Sequence, residues 1–335
     1  MNSGASEKEQ VTIGVGYQTV TAQTWGPLIM KNKGFFEEEL QKVDPGKQFS
    51  IDWQNAQSGP PLTNNMIAGK LQFADMGDMP VLINGEKGEI MPNYDSVFLG
   101  FDGKGRSGKN EAILVPKNSS IYSVKDLAGK TVGTPIGSSA HRMLLAELDA
   151  AHITDKVDIV GQDATVGVNN IAQQKIDAYA IWEPFPTLAV QKGVGRILVG
   201  GEDTGIDYLD GIVADRKWVK EHEEYTVAFL KALIRAHDFI REHPDEAAKI
   251  FAKESGYSER VAREMVKAIR FDSVVYQRDL RTLEGSKKFL QKSHAMGDLN
   301  VTAFVDVSYL QKAFQELGKS YPDDGQLQGD WLTQP

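Results

Sequence analysis

A glycine turn followed by two serines and a histidine is the segment of this sequence best suited to chemistry. Residues 133–141 read Gly-Thr-Pro-Ile-Gly-Ser-Ser-Ala-His, between a β-type run at residues 130–132 and an apolar-periodic run from Met143. This order predicts a strand, a turn, and a helix that begins near Ser138 and Ser139. A helix N-terminus presents unpaired N–H groups and a partial positive charge, which suit an anion. The alternative is an ordinary serine N-cap, which requires no ligand.

We call residues 137–141 the serine turn. Its candidate ligand contacts are Gly137, Ser138, Ser139 and His141. The next residue, Arg142, either neutralises an anion at the turn or points into solvent. We expect the solvent-facing orientation for Arg142.

Polar and aromatic side chains also stand where other predicted strands end. Gln18 and Trp25 follow the first predicted strand at residues 11–17, and Trp182 follows an apolar strand at residues 178–181. Gln18 either hydrogen-bonds a ligand or belongs to a turn. Each tryptophan either lines a cleft or packs in a core. Ligands of open α/β sheets bind outside the carboxyl ends of the strands. These three residues are therefore candidate ligand contacts.

Four further candidates lie beside predicted helix starts, and each has a capping alternative. Ser58 and Gly59 precede a helix that opens with Pro60, so they form either a second anion site or a plain cap. Asp78 and Glu183 either contact the ligand or satisfy the first N–H groups of the helices that follow them.

The composition argues against several kinds of partner and chemistry. The 335-residue chain has no cysteine, so thiol catalysis and cysteine metal sites are excluded. Its net charge is −9 without a long basic run, which argues against nucleic acid as a partner. No apolar run approaches the ~18 residues of a membrane span. The six histidines are scattered and no acid/base pair stands out, so we expect no metal, no cofactor and no catalytic residue.

A glycine-rich segment at residues 103–109, GKGRSGK, matches the dinucleotide pattern and most of a P-loop. A P-loop continues with Ser or Thr to hold Mg²⁺, whereas this chain has Asn110. Both motifs also need a helix directly afterwards, and residues 111–116 instead form a β-pattern ending in proline. We interpret the segment as an exposed basic hairpin loop that does not bind nucleotides.

Strand and helix patterns alternate through the first two thirds of the chain, and helices dominate residues 219–317. Strands are predicted at residues 11–17, 49–54, 73–76, 96–101, 112–115, 131–133, 158–160, 178–181, 196–199 and 211–214, and one helix is predicted over residues 24–40. The alternation predicts an α/β architecture with mostly parallel sheets. The first ten residues are small and polar, lack the regions of a signal peptide, and are expected to form a flexible lead-in.

Several segments together resemble the periplasmic solute-binding proteins of ABC importers, in the nitrate/sulfonate/taurine branch and especially the aliphatic-sulfonate binders. Residues 58–62 (SGPPL) and 68–80 (AGKLQFADMGDMP) resemble the signature of their first lobe. Residues 124–133 (VKDLAGKTVG) resemble the start of their second lobe, and the serine turn resembles the sulfonate binders' ligand loop. Residues 177–184 (DAYAIWEP) resemble a further family segment. The resemblance covers residues 11–317.

The resemblance implies an α/β, two-lobed periplasmic-binding-protein type II fold with a helical C-terminal extension on lobe one. It places lobe one at residues 11–112 plus 211–335 and lobe two at residues 113–210, after a lead-in at residues 1–10. The extended segments at residues 111–116 and 211–215 are where we expect the chain to cross between the lobes. The ligand is expected in the cleft between them.

The resemblance further implies a non-enzymatic, monomeric protein that binds a small sulfonate or related oxyanion and delivers it to a membrane permease. Its location would be periplasmic or otherwise extracytoplasmic, either free or lipid-anchored in a longer precursor. Three alternatives remain at this point. The same fold could bind a small cation such as guanidinium or an amidine, since Asp75, Asp78 and Glu183 lie near the expected cleft. It could also bind a pyrimidine-type solute, or act as an enzyme like the pyrimidine-precursor synthases.

Overall fold

The computed structural model describes residues 8–323 of the chain. Its strands are β1 (Gln10–Tyr17), β2 (Gln48–Asn55), β3 (Phe73–Gly77), β4 (Ser96–Gly105), β5 (Glu111–Pro116), β6 (Thr131–Thr134), β7 (Asp158–Gly161), β8 (Ala178–Trp182), β9 (Gly195–Gly200), β10 (Tyr208–Asp215) and β11 (Arg270–Phe271). Its helices are α1 (Gly26–Lys33), α2 (Phe35–Val43), α3 (Gly59–Ile67), α4 (Asp78–Ile90), α5 (Ser139–Ala150), α6 (Ala164–Ala172), α7 (Phe185–Gln191), α8 (Arg216–Glu221), α9 (Glu223–Glu242), α10 (Pro244–Ser255), α11 (Glu259–Ala268), α12 (Gln277–Lys292), α13 (Val301–Phe304) and α14 (Ser308–Glu316). None of these helices is long and apolar enough to cross a membrane.

The strands form two sheets, which are the cores of the two lobes. The order is β11-β4-β10-β3-β1-β2 in the six-stranded sheet and β7-β6-β8-β5-β9 in the five-stranded sheet. The expected α/β, two-lobed fold is confirmed, but the expectation of mostly parallel pairing is wrong. β10 pairs antiparallel with β3 and β4, and β5 pairs antiparallel with β8 and β9. Each is the first strand after the chain passes between the sheets, and each runs antiparallel to both of its neighbours.

Two short segments, residues 106–110 and 201–207, carry the chain between the sheets. They touch at two glycines, because a Cβ at Gly108 would lie 2.1 Å from the Gly201 carbonyl oxygen. A Cβ at Gly201 would lie 2.2 Å from the Gly108 carbonyl oxygen. Gly108 also has a φ of 95°, which disfavours any other residue. The contact between the crossing segments therefore depends on glycine at both positions.

The interpretation of residues 103–109 as an exposed hairpin is wrong. β4 and β5 belong to different sheets, so the segment is a crossing between lobes. Lys104 is 1% exposed, and its ammonium lies 2.8 Å from the Asp279 carboxylate. Only Lys109 is exposed, and a strand rather than a helix follows it, as the sequence predicts.

The helical C-terminal part packs on the six-stranded sheet, which confirms a helical extension of lobe one. Phe229 of α9 stacks on Phe73 of β3 with ring centroids 4.1 Å apart, and Phe36 of α2 meets Phe229 edge-on. One helix was expected over residues 24–40, but Gly34, with a φ of 68°, ends α1 and separates it from α2. The left-handed conformation at Gly34 is a common helix terminus.

Candidate functional site

The serine turn lies where the second lobe meets the first. A Cβ at Gly77, the last residue of β3, would lie 2.0 Å from Ser139 Oγ. A Cβ at Gly137 would lie 3.2 Å from Cγ of Pro60, at the start of α3. The N-terminus of α5 therefore faces the carboxyl end of β3 and the start of α3 at close range.

The two serines of this turn have different roles. Ser138 is the N-cap of α5, and its hydroxyl accepts a hydrogen bond from the backbone N–H of His141 at 3.3 Å. Ser139 is 2% exposed, and its hydroxyl has no hydrogen-bond partner among the described residues. A buried hydroxyl without a partner costs free energy, so such groups are uncommon in folded proteins. Ser139, not Ser138, has the hydroxyl that is free for a ligand.

Arg142 lies one turn further along α5 and is fully buried, so the expectation that it points into solvent is wrong. Its Nε lies 3.0 Å from Asp78 Oδ1 in lobe one, and its Nη2 lies 3.4 Å from Glu111 Oε2 at the start of β5. Burial opposes its charge, but the carboxylates of Asp78 and Glu111 outweigh that effect and raise the pKa of Arg142. Its Nη1 has no partner among residues 8–323. Arg142 thus joins the lobes and keeps one donor free.

Three aspartates, Asp75, Asp102 and Asp210, form what we call the aspartate cluster at the same end of the six-stranded sheet. They lie on β3, β4 and β10, and Asp210 is paired with Gly77 in the register of the sheet. Burial raises the pKa of Asp75, and the nearby Asp102 raises it further. Burial, followed by Asp78, likewise raises the pKa of Asp210.

Two more candidates, Trp182 and Glu183, lie at the same boundary and form hydrogen bonds to lobe one. Trp182 is 2% exposed, and its indole N–H donates to the Val20 carbonyl of lobe one at 2.7 Å. The Glu183 carbonyl accepts from the Ala22 N–H at 2.9 Å, while its carboxylate accepts from the N–H and hydroxyl of Thr187. Trp182 and Glu183 therefore connect the lobes, and the Glu183 side chain caps α7.

Two candidates, Gln18 and Trp25, lie in lobe one and contact other residues of that lobe. Gln18 is 2% exposed and donates to the Asp75 carbonyl at 3.2 Å. Trp25 is 0% exposed and lies in the core against Phe251 and Tyr257, with ring centroids 5.1 and 6.1 Å away. The structure therefore brings Gln18 next to the aspartate cluster and packs Trp25 in the core.

The start of α3 differs from an ordinary cap. Ser58 is its N-cap residue and is 6% exposed, but its side chain makes no capping hydrogen bond. A Cβ at Gly59 would lie 2.4 Å from Cβ of Pro80, so glycine allows α3 to approach α4. Asp78 begins α4, and its Oδ1 accepts from the Met79 N–H as well as from Arg142. Ser58, Gly59 and Asp78 therefore line the boundary opposite the serine turn.

Four further polar residues at this boundary are buried and were not among the candidates predicted from the sequence: Gln23, Glu111, Tyr208 and Asp210. The sequence signal for Glu111 and Asp210 is an acidic residue within an otherwise apolar strand pattern. The described residues contain no group of three or more acidic or histidine side chains arranged to hold a metal ion.

His141 gives the serine turn a pH dependence. Its Nδ1 accepts from the Gly137 N–H at 3.1 Å, which requires an unprotonated ring nitrogen, and burial lowers the pKa of His141 to about 4. The unfolded chain takes up this proton near pH ~6.5. Below that pH the unfolded state binds more protons, so the folded state loses stability as the pH falls from about 6.5 to about 4.

Replacing His141 with asparagine removes this titrating ring. We therefore expect the urea unfolding midpoint of His141→Asn to fall less between pH 6.5 and pH 4 than that of the wild type. Equal slopes would contradict this assignment.

The family model described as NMT1/THI5 like matches residues 107–247. A putative aliphatic sulfonates-binding protein of Bacillus subtilis (strain 168) is 31% identical over 326 residues, which cover 94% of this chain and 92% of the relative.

Solved structures share the fold. The alkanesulfonate-binding protein SsuA from Xanthomonas axonopodis pv. citri, bound to MOPS, aligns with a TM-score of 0.75 and 21% identity, over 90% of this chain and 99% of that chain. A mutant of the enzyme DSZB in complex with biphenyl-2-sulfinic acid aligns with a TM-score of 0.67 and 16% identity, over 92% and 99% of the two chains. At these identities the likeness concerns the fold.

Proposed function

This chain belongs to the nitrate/sulfonate/taurine branch of the ABC-importer solute-binding proteins, and we propose that it captures a small sulfonate or related oxyanion between its lobes. The observation that carries the proposal is a pair of buried donors at the boundary. Ser139 Oγ and Arg142 Nη1 have no partner among the described residues, and both lie on the first turns of α5. The first N–H groups of that helix add a partial positive charge.

Closure of the lobes explains how the solute would be held. Arg142 reaches Asp78, and Trp182 reaches the Val20 carbonyl, so both lobes contribute to one boundary. A ligand that contacts the serine turn and lobe one together binds the closed form better than the open form. Only this difference in affinity can favour closure. The permease would then recognise the closed, loaded protein.

The family to which the chain belongs also supports proposals about its location, its oligomeric state and its role in transport. We propose a monomeric protein outside the cytoplasmic membrane, which delivers its solute to the permease of an ABC importer and catalyses no reaction. The similarity to the DSZB enzyme extends to the fold at 16% identity, and this chain has no cysteine to act as a nucleophile. We also propose that the lobes divide close to the two crossing segments, residues 106–110 and 201–207.

Calorimetric titration and thermal unfolding with 1-propanesulfonate, 2-aminoethanesulfonate and nitrate test this function. At one hundred times Kd a ligand adds ~2.7 kcal/mol to the free energy of unfolding. We expect at least one sulfonate to raise Tm by roughly 5 °C at that concentration, and to be recovered unchanged after incubation. Failure of every anion to bind would reject an oxyanion-binding function, and conversion of a bound sulfonate would reject the non-enzymatic assignment.

A further inference from the structure

Asp78 and Arg142 form an ion pair that joins the two lobes, which we call the latch. Arg142 lies on α5, which packs against β8 of the five-stranded sheet, and Asp78 begins α4, directly after β3 of the six-stranded sheet. Arg142 Nε lies 3.0 Å from Asp78 Oδ1, and both side chains are 0% exposed. The attraction between two charges is stronger in such a water-shielded place than on the surface.

Each partner of the latch also has a bond inside its own lobe. Arg142 Nη2 lies 3.4 Å from Glu111 Oε2 at the start of β5, and Asp78 Oδ1 accepts from the Met79 N–H at 2.7 Å. When the lobes part, the guanidinium keeps a carboxylate, and Asp78 keeps the N–H groups at the start of α4. Neither charge is then left without a partner, so the pair can open and close with the lobes.

Gly77 allows the lobes to approach closely beside the latch. Its φ of −69° and ψ of 170° suit any residue, so the backbone conformation does not require glycine. The space does, because a Cβ at position 77 would lie 2.0 Å from Ser139 Oγ and 3.1 Å from Ser139 Cβ in the other lobe. A larger residue at position 77 meets Ser139 only when the lobes are together.

We propose that the latch holds the lobes closed before a solute binds, and that Asp78 is the positioning residue that sets this equilibrium. Two hydrogen bonds between the lobes act with the latch. Trp182 donates to the Val20 carbonyl, and the Ala22 N–H donates to the Glu183 carbonyl. Opening returns water to both charges, which offsets part of their attraction, but it breaks these two hydrogen bonds as well. A solute then adds to closure through its own preference for the closed form.

The latch also controls how a solute enters. Ser139 Oγ and Arg142 Nη1, the two donors of the proposed solute site, are buried at this boundary. A solute reaches them only after the lobes have opened, so the rate of opening limits capture at high solute concentration. Solute entry rests on the proposed function, whereas closure of the solute-free protein does not.

Asp149 and Lys292 provide a reporter of closure. Asp149 lies near the end of α5 in lobe two, Lys292 ends α12 in lobe one, and their charged groups are 3.6 Å apart. Their side chains are 51% and 74% exposed, so this pair contributes little to stability. The chain has no cysteine, so Asp149→Cys and Lys292→Cys together create a unique pair of sites for spin labels.

Pulsed EPR distances between these labels, measured without solute and with 1-propanesulfonate, test the proposal. We expect one short-distance population under both conditions when the latch is intact. Asp78→Asn keeps the shape of the side chain but removes its charge, and it should add a longer-distance population in the absence of solute. The matched control Asp279→Asn removes a carboxylate that is equally buried against Lys104 within lobe one, so it should lower stability without changing the distance.

Stopped-flow binding of 1-propanesulfonate gives a readout that a purely structural role of Asp78 would not change. The binding rate of the wild type is expected to reach a plateau as the sulfonate concentration rises. Asp78→Asn should raise that plateau about tenfold or more, because close charge pairs across an interface commonly contribute more than a factor of ten to an equilibrium constant.

Gly77→Val is a second variant that keeps both charges of the latch. Its side chain blocks the approach of Ser139, so it should also add a longer-distance population in the absence of solute. If Asp78→Asn does not fold, this variant and the distances with the latch intact decide the proposal.

The outcomes separate the latch from the proposed function. A long solute-free distance that shortens with sulfonate, an unchanged distance in Asp78→Asn, or opening by Asp279→Asn as well overturns the latch and leaves the oxyanion-binding function standing. A binding rate that rises without a plateau overturns its control of solute entry. A short solute-free distance that lengthens in Asp78→Asn, without binding of any anion, supports the latch and rejects the oxyanion-binding function.

Discussion

Arg142→Met is expected to lower the free energy of unfolding by about 3–5 kcal/mol at pH 7, the usual cost of removing one partner from a buried ion pair. Asp78, Glu111 and Arg142 all have side chains with 0% exposure, and the guanidinium is the cation that pairs with both carboxylates. Methionine keeps much of the side-chain volume, so the loss reflects charge and hydrogen bonding more than a cavity. Urea unfolding, with the midpoint and the slope determined together, measures the change.

A control variant and a pH series test whether the destabilisation by Arg142→Met comes from the burial of its ion pairs. Arg263→Met removes an arginine that is 40% exposed and pairs with Asp245 and Glu259 on the surface, and it is expected to cost less than about 1 kcal/mol. The destabilisation by Arg142→Met should also shrink as the pH falls, because burial raises the pKa of Glu111 and protonation of its carboxyl group removes a buried charge. Similar effects of the two arginine variants, or a loss independent of pH, would show that the Arg142 pair is not an important buried interaction.

Ser139→Ala is expected to weaken sulfonate binding roughly tenfold to a hundredfold, since a hydrogen bond to a charged group contributes ~1.5–3 kcal/mol. The Ser139 hydroxyl has no partner in the described protein and is not the cap of α5, so its removal should leave the unfolding midpoint near that of wild type. Calorimetric Kd values and urea midpoints on the same variant measure the two effects separately.

Ser138→Ala is the matched control for this prediction. It removes the capping hydroxyl that accepts from the His141 N–H, so it should cost ~1 kcal/mol of stability and little affinity. A Ser139→Ala variant with wild-type affinity would remove the serine turn from the solute site. The oxyanion group would then bind elsewhere along the boundary, at Ser58 and Gly59 or beside Trp182.

The sequence was most informative about local structure and least informative about what surrounds a side chain. The pattern at residues 133–141 predicted a strand, a turn and a helix start, and the structure shows β6, the serine turn and α5 in that order. The prediction of one helix over residues 24–40 was wrong because Gly34 ends α1 in a left-handed conformation. A glycine inside a helical pattern indicates a possible break, but only its conformation shows one.

Burial explains the larger errors. Arg142 was expected in solvent and Lys104 in an exposed loop, yet both are buried against carboxylates that lie far away in the sequence. A charged side chain is buried only where an opposite charge lies beside it. Asp279 pairs with Lys104, and Asp78 and Glu111 pair with Arg142, each from another strand or helix. No local pattern around either basic residue contains this information.

By itself, the sequence determined the α/β alternation, the helical C-terminal part and the family, because periodicity, turn residues and motif order are local properties of the chain. The tertiary structure alone decided which serine hydroxyl is free, that Arg142 joins the lobes, and that Asp75 lies beside Asp102 and Asp210. Those features depend on strands and helices that are far apart in the sequence and meet at one boundary. Charge pairing and burial depend on contacts between these distant elements, so the tertiary structure is needed to see which side chains are free to bind a ligand.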